Sequence, residues 1–82
     1  MNELIQVEAE DHDGELRPTA FIWEGRRYAV HHHGRQWNEK GVRHFLVMTA
    51  DRRPYELVYS EESGQWRLHR SPTELGSHPL TS

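Results

Sequence analysis

The chain has 82 residues, no cysteine, three Trp, three Tyr, two Phe and a formal charge of −3. That length supports one domain, and the lack of cysteine excludes both a disulfide framework and a thiolate metal site. No run approaches the ~18 apolar residues a membrane span needs, and residues 1–8 lack the basic and apolar regions of a signal peptide. A cytoplasmic protein with no membrane partner is therefore expected.

The net charge hides an asymmetry. Residues 1–15 hold Glu3, Glu8, Glu10, Asp11, Asp13 and Glu15 with no Lys or Arg, whereas residues 16–70 hold all ten Lys and Arg. Such a division marks either an anionic partner or an acidic edge strand beside a basic sheet.

Short β-branched and aromatic runs recur between turn signals, and no segment carries a 3.6-residue stripe. Residues 4–9 read as a first strand with Ile5, Val7 and Ala9 on one face. Residues 10–15, around Asp13-Gly14, read as a polar turn, after which Pro18 opens a second strand over 19–23. Gly25-Arg26 fits a type II′ hairpin loop, which places Trp23 opposite Tyr28 and Phe21 opposite Val30. The returning strand runs through His31-His32-His33 until Gly34 ends or bends it, and residues 34–41 read as a polar, turn-rich stretch around Trp37.

Residues 42–49 form the next strand. Phe45-Leu46-Val47-Met48 is apolar at every position, which suggests cover on both faces. Residues 51–54 turn the chain, with the register of Phe45 or Leu46 against Leu57 left open. Tyr55, Leu57 and Tyr59 then alternate on one face, and a hairpin at residues 61–64, with Gly64 left-handed, sets Trp66 and Leu68 opposite Tyr59 and Leu57. The sum is an all-β antiparallel meander of about six strands, curled into a small half-open barrel or roll over residues 1–70. Residues 71–82, with two prolines and small polar residues, read as a disordered tail.

Pro18, Phe21, Trp23, Gly25-Arg26, Tyr28, Val30 and Trp37, followed by Glu56-Leu57, Gly64, Trp66, Leu68 and Arg70, resemble a small β-rich bacterial domain-of-unknown-function family. That family also forms the C-terminal extension of catalytically degenerate Y-family DNA polymerase homologues. The likeness covers roughly residues 16–70 and departs at Arg52, where a turn glycine is usual, and at the triple histidine. It implies the fold and an accessory role, and brings no catalytic residues with it.

On a strand His31 and His33 point one way and His32 the other, and His44 with His69 or a carboxylate would complete a metal site. No paired spacing supports this, so the histidines are expected to be surface residues, with no metal or other cofactor. Serines fall in turns or the tail, and no phosphate-binding loop is present, so no enzyme activity is expected. The expected function is a non-enzymatic binding or accessory module acting through protein–protein contact with an unknown partner. The alternative is a nucleic-acid-binding accessory domain linked to DNA repair, in which Trp37 stacks on a base and Arg26, Arg27, Arg35 and Arg43 meet phosphates. Against stacking, Trp37 would fold back to plug an open barrel end.

Overall fold

The computed structural model describes residues 2–75. Six strands build it: β1 (Glu3–His12), β2 (Glu15–Trp23), β3 (Arg26–Glu39), β4 (Val42–Thr49), β5 (Pro54–Ser60) and β6 (Gln65–Arg70). Each pairs antiparallel with its neighbour in sequence, and β1 also pairs with β6. The expected all-β meander is thus present, and the barrel is closed rather than half-open.

Three of the connections are two-residue turns of the form X-Gly. Asp13-Gly14, Glu24-Gly25 and Lys40-Gly41 all have positive φ at both residues, the requirement of a type I′ turn, whose twist matches that of the strands it joins. The β2–β3 loop is therefore Glu24-Gly25, not Gly25-Arg26, and Phe21 faces Tyr28 while Trp23 faces Arg26. In this register Phe21 stacks on Tyr28 at 5.3 Å and 14°. The partner changes by two residues, so Phe21, Trp23 and Tyr28 keep the face assigned to them.

The strands outrun their expected bounds because bulges absorb what looked like breaks. Pro18 lies inside β2, buried opposite Ala9, where the register shifts between Glu8 and Ala9. The extra residue is Thr19 of β2, and in β1 Ile5 and Val7 are half-buried whereas Ala9, opposite Pro18, is exposed. Gly34 bends β3 without ending it, and the strand continues through Trp37 to Glu39. A Cβ on Gly34 would lie 3.3 Å from the Leu46 carbonyl oxygen, so the glycine permits a close approach of β3 to β4.

The 50–53 turn closes through hydrogen bonds from the Thr49 N–H to the Arg53 carbonyl (3.1 Å) and from the Arg52 N–H to the Thr49 carbonyl (2.9 Å). It sets Phe45, not Leu46, opposite Leu57. β4 is accordingly covered on one face only. Phe45 and Val47 are buried, Leu46 is half-buried and Met48 is exposed, because the barrel encloses a single core. Tyr59 faces Trp66 and Leu57 faces Leu68, as the alternation predicts.

Phe21, Phe45, Val47, Tyr55, Leu57 and Leu68 form the core, flanked by partly buried Trp23, Tyr28, Tyr59 and Trp66. Of the expected tail, residues 71–75 make a turn: the Ser71 N–H donates to Glu74 Oε1 at 2.9 Å, and Ser71 and Pro72 are buried. The remainder of that tail, residues 76–82, lies outside the described residues.

Burial, followed by the nearby Tyr28, raises the Tyr55 phenol above its ordinary value of 10.0. The proton is held more tightly in the folded state, so this contribution to stability is complete below about pH 10 and is lost as pH rises through the folded value. Tyr55→Phe should therefore flatten the alkaline arm of a stability-versus-pH profile measured by urea denaturation. An alkaline arm of unchanged slope would assign the loss to other groups.

Candidate functional site

The register divides the five residues of the nucleic-acid reading: Arg26 and Arg27 lie at one end of β3, and Arg35, Trp37 and Arg43 towards the other, where Trp37 and Arg43 line a common recess. Arg26 and Arg27 start β3 beside the β2–β3 turn, whereas Arg43, opposite Asn38, lies by the turn at the far end of β3. Two of the five are occupied. Arg27 bonds Glu8 through Nε at 2.9 Å and Nη2 at 2.8 Å, and Arg43 Nε meets Glu61 Oε2 at 2.6 Å. The Arg27 contact holds the Glu8 carboxyl below its ordinary range. Arg26 is exposed.

Arg35 and Trp37 do come together, with the Arg35 guanidinium carbon 5.1 Å from the Trp37 ring centroid. Trp37 does not plug a barrel end. It pairs with His44, and since Phe45 points into the core, both lie on the outer wall. The imidazole of His44 stacks on the indole at 4.8 Å and 11°.

His44 anchors a cluster that the strand pattern did not announce. Its Nδ1 lies 2.8 Å from Glu56 Oε2, and Arg70 Nε lies 3.4 Å from Glu56 Oε1. A carboxylate only accepts, so Nδ1 is the donor. The Glu56 side chain is 4% exposed and that of His44 12%, an ionisable pair covered on the outside of a small barrel. His69 meets the His44 ring edge-on at 5.9 Å.

The histidine run does not share one face. A register shift between Val30 and His32 breaks the alternation, leaving His31 and His32 exposed while His33 is half-buried. His33 Nε2 lies 2.7 Å from the Pro18 carbonyl oxygen, and so donates to it. The bond ties β3 to β2 beyond Ala29, the last β3 residue paired with β2. Among the described residues no group of three or more His, Cys, Asp or Glu is arranged to hold a metal ion.

A recess lies at the seam where the barrel closes. β1 pairs with β6 only through Glu3, Leu4 and Ile5, set opposite Leu68, Arg67 and Trp66. Beyond Ile5 only Gln65 remains of β6, so β1 outruns it and continues to His12 along β2. A groove of about 810 Å³ occupies the gap. Four core-facing residues line it, Ile5, Val7, Trp23 and Trp66, and each is only half-buried. On its outer side Leu4 is 52% and Ile22 37% exposed.

The seam thus offers two things a binding partner can use: apolar surface belonging to the core, and a strand edge with unpaired backbone groups among the described residues. The sequence shows the edge strand and its acidity but not how far β1 outruns β6. No protein-family model, no curated protein and no solved structure matches this chain.

Proposed function

We propose that the protein is a non-enzymatic binding or accessory module that works through protein–protein contact at the β1–β6 seam. The overrun of β1 past the start of β6 supports this reading, because it leaves a strand edge beside half-buried Ile5, Val7, Trp23 and Trp66. Proteins that receive an extended peptide use this pair of features, backbone bonding for affinity and apolar pockets for selectivity. The nucleic-acid alternative, to which the resemblance of residues 16–70 attaches a link to DNA repair, is less favoured, since Arg27 pairs with Glu8 and Arg43 with Glu61, and Arg27 at the start of β3 lies far along the ladder from Arg43, opposite Asn38.

Panning a library of extended peptides on the immobilised protein tests the proposal. Binders should lose about tenfold or more in affinity to a variant with Leu4→Ser and Ile22→Ser, a loss of apolar contact of about 1.4 kcal/mol. Single-stranded DNA should leave the tryptophan fluorescence unchanged even at low salt, where phosphate contacts are strongest. Peptides indifferent to both substitutions, or saturable DNA quenching absent in Trp37→Ala, would overturn it.

A further inference from the structure

Resting on the protein-contact reading, we infer that the seam takes a basic extended segment of another protein, which adds as a strand along the free edge of β1. The groove is lined by Glu3, Glu8 and Glu24 and by no Lys or Arg. Arg27 offsets Glu8, but Glu3 carries only a 3.4 Å bond from Trp23 Nε1. Further along the same edge stand Glu10 and Asp11, again with no Lys or Arg on the strand. Arg67, the base nearest the paired end of β1, turns its Nη1 to the Asn2 carbonyl at 3.3 Å. An incoming strand therefore meets apolar core at its middle and carboxylates along its flank.

The other occupants fit less well on charge. A second copy pairing β1 against β1 would set Glu8, Glu10 and Asp11 against their own kind, an arrangement that destabilises a strand pair. The chain's own residues 76–82 contain no Lys or Arg and include a proline, which removes one ladder donor. A basic, proline-free segment of another chain satisfies both the backbone edge and the rim.

Peptides of about eight residues, a typical strand length, test the inference with the intact protein: alternating Val-Lys, Val-Ser and Val-Glu. Affinity is read by fluorescence anisotropy, and amide hydrogen exchange reports where each peptide lies. The Val-Lys peptide should bind about tenfold or more tightly than Val-Ser, weaken between about 20 and 300 mM salt, and protect the alternate amides of residues 6–12 that point away from β2. Val-Glu should not bind. Glu3→Gln with Glu10→Gln should reduce the lysine peptide's advantage while leaving Val-Ser binding unchanged.

Equal binding of Val-Ser and Val-Lys would overturn the basic partner while sparing the seam as a contact site. No seam protection by any of the three would count against the protein-contact reading itself. Lysine-peptide binding without protection of these edge-facing amides would mean loose charge attraction and overturn strand addition. Edge-facing amides of 6–12 already protected without peptide would assign the edge to the chain's own tail or a second copy, and overturn the inference.

Discussion

Phe21→Ala should destabilise the barrel by about 3–5 kcal/mol, the usual cost of removing a buried aromatic side chain. Phe21 is fully buried in the aromatic core: it stacks on Tyr28 and meets Tyr55 edge-on at 4.9 Å. Trp23 and Tyr28 in turn pack on Tyr55, at 5.9 and 5.6 Å. Removing the Phe21 ring leaves Tyr28 and Tyr55 facing a void in a close-packed core. A domain of this size has roughly 4–12 kcal/mol of total stability, so the variant stands near the edge of folding. Ile22→Ala, next in the chain but on the outer wall and 37% exposed, should cost about 1 kcal/mol or less. Urea denaturation of the pair measures the contrast, and similar losses at both positions would contradict the register of β2.

That register shows which parts of the fold are legible in a sequence. Alternation is local, so the shared faces of Tyr55, Leu57 and Tyr59 and the pairing of Trp66 and Leu68 follow from the residues themselves. Bulges are not. The shifts after Glu8 and Val30 insert Thr19 into β2 and His31 into β3 as extra residues, so that His33 and not His32 faces buried Val47. The Glu24-Gly25 turn illustrates a third case: either two-residue loop suits the local sequence, and the Phe21–Tyr28 stack favours one of them. Lys40-Gly41 was a readable turn signal, and with it Trp37 would have been placed on a strand opposite His44.

The candidate site was less legible than the fold because each of its parts joins distant segments. The seam depends on how far β1 outruns β6, which follows from the start of β6 at Gln65 together with the Ile5–Trp66 register, and that register joins the two ends of the barrel's chain. What residues 1–15 did show was their charge, which reappears in the carboxylates of the groove. Arg27 and Arg43 looked like available cations in the sequence because Glu8 and Glu61 lie 19 and 18 residues away from them.

His44→Ala should cost about 3 kcal/mol, which is more than the exposure of an outer-wall histidine would suggest. The imidazole satisfies Glu56, whose carboxylate is buried outside the core with only the longer 3.4 Å contact to Arg70 to replace it. Deleting the ring leaves that carboxylate without its main donor, and also takes from Trp37 its stacked neighbour. Glu56→Leu alone is milder, because an imidazole can stay neutral where a carboxylate must lose either its charge or its partner. The double variant His44→Phe with Glu56→Leu should recover most of the loss, since apolar groups of similar volume replace a pair that burial itself disfavours. A double-mutant cycle with His44→Phe, Glu56→Leu and the combination then yields a coupling of about 1–3 kcal/mol. Strictly additive losses would mean that Glu56 is satisfied by Arg70 and that the His44 contact is incidental. Strong coupling with near-wild-type stability in the double variant would show that the pair orders the outer wall, holding Trp37 and Arg35 in place, more than it stabilises the barrel.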